Sequence, residues 1–228
     1  NIQSPTVLNA RYNFTEFWNG RAKDLYAQAS GPLNNPAEHG MNPQKIEKAV
    51  NNSSHYKEMF KKVYGTSHIT YKMVLESIVE FEKALITPNS RFDKYLRGEI
   101  KLTSSETQGY KLFKQYGCIT CHNGVNIGGN SYQKMGIFIP IDEEKHYPDR
   151  MEVTKNILDK DVFKVPTLRN IDKTAPYFHN GSSKTLEDAI QSMSKHNLGM
   201  FISDEDTNYL MDFLKSLDGE EPKILEQP

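Results

Sequence analysis

The 228-residue chain has little cysteine, two residues, and a single tryptophan. Two cysteines exclude a disulfide-built scaffold. No apolar run reaches the roughly 18–20 residues from which a membrane-spanning helix is read. Charge of neither sign dominates: 28 Lys and Arg stand against 29 Asp and Glu. No basic stripe marks a nucleic-acid surface, so that partner class is set aside. The opening residues do not read as a secretory leader. It begins Asn1-Ile2-Gln3 without Met, and the expectation is a mature or trimmed product. The length allows one large domain or two small ones.

What little cysteine there is lies in one run, Cys118-Ile119-Thr120-Cys121-His122. This is the attachment signature of a c-type haem. Two thiols on one short turn can each add to a vinyl group on the same haem edge, and the next residue then offers an imidazole to the iron. Other readings of the run are weaker. A Cys118–Cys121 disulfide closes too short a loop to stabilise much. A thioredoxin-like dithiol needs an alternating βα context. A zinc site needs a second ligand pair, and His179 and His196 are isolated. Covalent haem implies export, hence the periplasm.

The remaining pattern is mainly α, with long loops and little β. Aromatic and apolar residues from Phe14 to Ala29 recur at helical spacing, with Asn13 as cap and a break at Gly31-Pro32. Short amphipathic helices follow at Lys45–Asn51 and Ser54–Tyr64. A longer one spans Ile69–Leu85, with Met73, Ile78, Phe81 and Leu85 inward. Thr87-Pro88-Asn89-Ser90 breaks the pattern and suggests domains at 1–90 and 91–228. A turn of helix at Asp93–Leu96 precedes Ser104–Tyr116, capped by Ser104 or Ser105, which ends at Gly117 and leads into Cys118. A glycine-rich loop and an irregular stretch run to Val162, with a short strand expected in Met135–Ile141. Phe163–Asn170 should be extended. Thr185 and Ser203 cap helices from Leu186 to about Lys195 and from Asp204 to Leu217, before a polar tail. No internal repeat stands out.

A second ligand to the iron would set its potential, Met raising it and His lowering it. Met193 lies well downstream of the attachment run, on the helix capped by Thr185. A buried core methionine is the plainer reading, and Met135, Met200 and the histidines compete.

Several further motifs resemble one family. Phe163-Lys164-Val165-Pro166-Thr167-Leu168-Arg169-Asn170 and Ala175-Pro176-Tyr177-Phe178-His179-Asn180-Gly181 are similar to the bacterial di-haem cytochrome c peroxidases of the CCP/MauG superfamily. So are Ser4-Pro5-Thr6-Val7-Leu8-Asn9-Ala10 and Phe17-Trp18-Asn19-Gly20-Arg21-Ala22. The resemblance runs from about residue 2 to about residue 217. It implies two cytochrome c-like domains, 1–90 being the remainder of the peroxidatic one and 91–228 the high-potential one with its tail. It implies haem c on Cys118 and Cys121, with His122 and Met193 as iron ligands. MauG-like relatives place a Tyr where Met193 stands. Trp18 matches a tryptophan between the haems. Gln28, Pro32 and Glu38 match the loop over the peroxide-binding haem, Glu38 being the catalytic carboxylate. Thr174 and Pro176 match carbonyl ligands of a calcium, and Gln3 replaces the usual Asn. The implied activity is reduction and detoxification of hydrogen peroxide, with a small c-type cytochrome as electron donor, in a homodimer. Rival readings are an electron-transfer cytochrome without peroxidase activity and a MauG-like enzyme that oxidises a protein. The family's first Cys-x-x-Cys-His would lie upstream of Asn1, so a truncated chain is expected, with one haem rather than two.

Overall fold

A computed structural model describes residues 2–141 and 146–226. The fold is mainly helical. Its helices are α1 Leu25–Asn34, α2 Pro43–Asn51, α3 Ser54–Tyr64, α4 Tyr71–Ala84, α5 Arg91–Leu96, α6 Ser104–Gln115, α7 Arg150–Thr154, α8 Leu186–Met193 and α9 Asp204–Lys215. The only sheet among the described residues pairs β1 (Tyr132–Lys134) with β2 (Val162–Lys164), antiparallel, Tyr132 opposite Lys164.

Side-chain caps set most helix starts. Asn42, Thr70, Thr185 and Ser203 each accept a hydrogen bond from the third residue beyond them, and Pro43 follows Asn42 at the first helical position. Ser90 with Asp93, and Thr103 with Glu106, form reciprocal capping boxes. Thr103, not Ser104 or Ser105, therefore caps α6.

Two apolar cores result. Ala10, Leu25, Ala29, Leu75 and Val79 form one. The other is larger and joins α5, α6, α8 and α9 through Phe92, Leu112, Phe113, Leu186, Leu210, Phe213 and Leu217. The α6–α9 contact is tight enough to require Gly109: a methyl there would lie 1.9 Å from the Tyr209 carbonyl oxygen. Phe213 fills the centre, its ring 5.1–5.2 Å from those of Phe92, Tyr110 and Phe113.

Several expectations need correction. The helix predicted from Phe14 begins only at Leu25, because the Asp24 carboxylate caps it by accepting from Ala27 N–H. Residues 14–22 instead form a looped turn, closed by a Glu16–Ala22 bridge, with Phe17 and Gly20 at positive φ. Asn13 caps no helix start; it closes the 3₁₀ turn Ala10–Tyr12, and its amide donates to the Glu16 carboxylate. Pro32 does not end α1, since in the last turn it forfeits a single backbone bond. On α4 the innermost residues are Leu75 and Val79, whereas Phe81 is 45% exposed. The strand predicted at Met135–Ile141 forms earlier, at Tyr132–Lys134. The stretch before Val162 contains α7, capped by Asp149, and residues 142–145 lie outside the described residues.

The fold also contains an internal repeat. Residues 3–32 and 164–193 correspond at a constant offset of 161. Asn9 and Asn170 are both left-handed and both open a 3₁₀ turn. Phe17 and Phe178, then Gly20 and Gly181, share positive φ within bridges Glu16–Ala22 and Tyr177–Ser183. Helices α1 and α8 then start at Leu25 and Leu186. The copies meet about a pseudo-twofold axis. Gln3 N–H donates to the His179 carbonyl at 2.7 Å, and Lys164 N–H donates to the Trp18 carbonyl at 2.7 Å. Asn9 and Asn170 both donate their amides to Thr87 Oγ1 at 2.7 Å. Trp18 and His179, equivalent in the repeat, meet edge to face at 6.1 Å.

Candidate haem site

Helix α6 delivers the attachment run. Gly117, at φ 82°, ends the helix, and Cys118–Thr120 follows as one 3₁₀ turn. That turn bonds back on itself: Cys121 N–H and His122 N–H both donate to the Cys118 carbonyl, at 3.3 and 2.9 Å. Both thiols are free and half-buried. They line one cavity of about 470 Å³ together with His122. That volume falls in the range of small-molecule and cofactor pockets, roughly 300–1,000 Å³.

The loop after His122 builds the adjoining wall. Gly129 N–H donates to the Val165 carbonyl at 2.8 Å, and Leu168 N–H donates to Ile127. Gly128 permits this approach, since a methyl there would sit 2.0 Å from the Pro166 carbonyl oxygen. Arg169 clamps the same segment to the start of α5, with bonds of 2.9 and 2.8 Å to the two oxygens of Asp93. Burial alone would raise the Asp93 carboxyl, but Arg169 and Ser90 outweigh it and hold the group below its ordinary range.

Helix α8 contributes Leu186, Ala189, Ile190 and Met193, spaced to share one helical face toward the cavity. Met193 is the last residue before a π turn, Ser194–Leu198, which ends at Gly199 with φ 66°. Met135 and His179 also line the cavity. Met200 does not, and is 37% exposed.

The lining is predominantly apolar. Burial pushes the Cys118 thiol up to about 11. Burial likewise pushes the His122 imidazole down to about 4, with the backbone at Ile127 and Pro166 opposing it. The imidazole is therefore neutral near pH 7, the form that ligates metal. His122 Nδ1 is buried without a hydrogen bond of ordinary geometry. Two thiols, a neutral imidazole and a thioether on the wall of one apolar cavity suit a covalently attached haem. Among the described residues no three His, Cys, Asp or Glu side chains are grouped as a metal-ion site.

The cavity brings Gln3, Trp18, Thr174 and Pro176 to the same lining as Cys118, Cys121, His122 and Met193. Trp18 Nε1–H donates to the Gln3 carbonyl at 2.8 Å. Gln28 and Glu38 are elsewhere. Glu38 is exposed on the turn after α1, and its Oε1 accepts from Asn35 at 2.7 Å. Gln28 lies on α1 with its side-chain oxygen buried and unpaired. Sequence reasoning missed Lys164, which lines the cavity while being only 5% exposed.

Known proteins are similar along nearly the whole chain. A family model described as di-haem cytochrome c peroxidase matches residues 1–101, and one described as cytochrome c matches residues 106–218. The cytochrome c551 peroxidase of Nitrosomonas europaea is 46% identical over 222 residues, covering 97% of this chain and 66% of that protein. The cytochrome c peroxidase Ccp of Escherichia coli is 40% identical, covering 96% of this chain and 48% of that one. The chain thus spans between about half and two thirds of these relatives. A solved MauG-like protein associated with microbial copper homeostasis is similar at TM-score 0.85 and 25% identity, with 96% of this chain and 76% of that one covered. By sequence and by fold, the chain belongs to the di-haem cytochrome c peroxidase and MauG superfamily.

Proposed function

We propose that the protein reduces hydrogen peroxide to water in the periplasm, using electrons from a small c-type cytochrome. The observation that carries this is the convergence of Cys118, Cys121, His122 and Met193 on one apolar cavity. The two thiols would bond a haem edge, and His122 and Met193 would ligate its iron. A haem so held supplies one-electron redox chemistry at a potential raised by the thioether. The surrounding apolar side chains exclude water and hold the two ligands in place. Residues 1–90 and 91–228 serve as the peroxidatic and electron-accepting domains, a division supported by the two separate cores.

Trp18 stands between the repeat copies, against His179, and is assigned the electron crossing. Pro32 falls where the repeat has Met193, and proline has no side-chain atom to ligate a metal. The first copy therefore leaves open the position that the second copy closes, as a peroxide site requires. Glu38 and Gln28 belong to that region. Breaking the O–O bond needs a proton moved from the near to the far oxygen, and Glu38 is assigned that transfer. Its charge is felt by Arg21, whose guanidinium lies 3.4 Å from the centre of the Phe17 ring. Gln3, Thr174 and Pro176 are assigned to calcium; their shared place on the cavity lining supports this. A homodimer is part of the same reading.

A second reading, electron transfer alone, is favoured by the exposure of Glu38 and its absence from the cavity lining. Peroxide turnover with reduced cytochrome c separates the two. A chain extended upstream to include a second haem should turn over and lose that activity with Glu38→Gln. Two haems without turnover would refute the peroxidase.

A further inference from the structure

Lys164 and Glu16 form a buried ion pair across the repeat, Nζ to Oε2 3.5 Å, with Lys164 5% and Glu16 6% exposed. Such a pair is weak grounds for stability, because desolvating two charges offsets their attraction. The repeat sharpens the point. Gln3 occupies the position of Lys164 in the other copy, and Tyr177 that of Glu16. The same backbone is thus built without the charges, so the fold does not demand them.

The location suggests what they do instead. Lys164 lines the haem cavity. Glu16 lines a second, polar groove of about 550 Å³ that opens between residues 10–26 and α4. Asn13 lines both, and its amide donates to the Glu16 carboxylate at 3.1 Å. The three side chains are therefore a polar partition between the apolar cavity and a solvent-facing groove. From the side of α4, Glu82 faces Glu16, with one oxygen buried and unpaired. The other charged groups of the groove are Arg11, Lys23, Asp24, Glu76, Glu80 and Lys83, which face solvent. On the cavity side the other ionisable groups are Lys134, Tyr177, His179 and the attachment residues.

We propose that Glu16 and Lys164 are a redox-linked protonation site: when the cavity's haem gains an electron, Glu16 takes one proton from the groove, and returns it on oxidation. The inference rests on the haem reading above. The step balances, since one electron from the donor is matched by one proton from solvent, and the pair passes from ammonium–carboxylate to ammonium–carboxylic acid. Burial already pushes the Glu16 carboxyl up, against the pull of Lys164, and pushes the Lys164 ammonium down, against the pull of Glu16. Added negative charge in the cavity raises proton affinity at the pair. By linkage the midpoint potential then falls as pH rises.

The test is a spectroelectrochemical titration of the haem-loaded protein at a series of pH values. The natural chain should show a potential that falls with pH, and Glu16→Gln should flatten that slope. Lys164→Met should lower the potential throughout, because a fixed positive charge beside the cavity is lost. Reduced-minus-oxidised infrared spectra supply a second readout. A protonated-carboxyl band should appear on reduction, vanish in Glu16→Gln and persist in Glu82→Gln. An unchanged slope with the band retained in Glu16→Gln overturns the proposal, as does loss of the band only in Glu82→Gln. A loaded chain with a pH-independent potential refutes this inference alone. A chain that carries no covalent haem refutes it together with the cofactor reading.

Discussion

The two copies of the repeat share a backbone and differ at their ends. The second copy ends with Met193 on the wall of an apolar cavity that two thiols and an imidazole also line. The first ends with Pro32, after which residues 34–40 are exposed to solvent. One scaffold thus serves two ends: at the equivalent helical position one copy offers a thioether, the other a proline with no atom to ligate a metal. Single side chains differ on a common frame, and the frame itself is held by paired backbone bonds and by the two Asn amides that meet at Thr87.

The contrast is broken most severely at the thiols. Cys118→Ala with Cys121→Ala should abolish covalent haem, read from the haemochrome of the denatured protein, whereas Glu38→Gln should leave it unchanged. Met193→Ala should then remove the low-spin, sulfur-ligated spectrum, and Met135→Ala should retain it. The reverse pattern would make Met135 the ligand. For the frame, Phe213→Ala should cost about 3–5 kcal/mol of unfolding free energy in denaturant, since it empties the centre of the larger core.

Smaller effects follow from charge. The Asp93–Arg169 clamp lowers the folded-state carboxyl, so its stabilisation is complete above the ordinary Asp range. It is lost as pH falls through that range and below. Asp93→Asn should remove this acid-dependent part and lower stability by about 1–3 kcal/mol at neutral pH. Acid unfolding curves of equal shape in both proteins would contradict this. Least of all, Lys72→Ala breaks an exposed pair with Glu76 and should cost at most about 0.5 kcal/mol.

Much of the fold was legible because short-range rules govern it. Asn42-Pro43, Thr185, Ser203 and Gly117 mark helix ends through bonds to near neighbours. The cavity was legible at its centre, because thiol chemistry demands the Cys118–His122 spacing. Other features depend on distant partners. Phe14, Phe17 and Trp18 have helical spacing, yet Asp24 caps α1 ten residues after Phe14. Pro32 suggests a break, but its place in the last turn makes the lost bond inexpensive. The repeat is faint in the sequence because its identities are scattered, Asn9 with Asn170, Phe17 with Phe178 and Gly20 with Gly181 among them. Its backbone dihedrals and mirrored hydrogen bonds are what reveal it. Lys164 is only one residue of a motif in the sequence, since nothing local signals that Glu16, 148 positions away, meets it inside the protein.

The central claim is that one haem is bonded through Cys118 and Cys121 in this cavity. The intact mass of the chain, purified from a host that attaches c-type haem, tests it most directly. The account predicts the polypeptide mass plus one haem, unchanged by acid–acetone extraction. A polypeptide at its bare mass, with two titratable thiols, would contradict it.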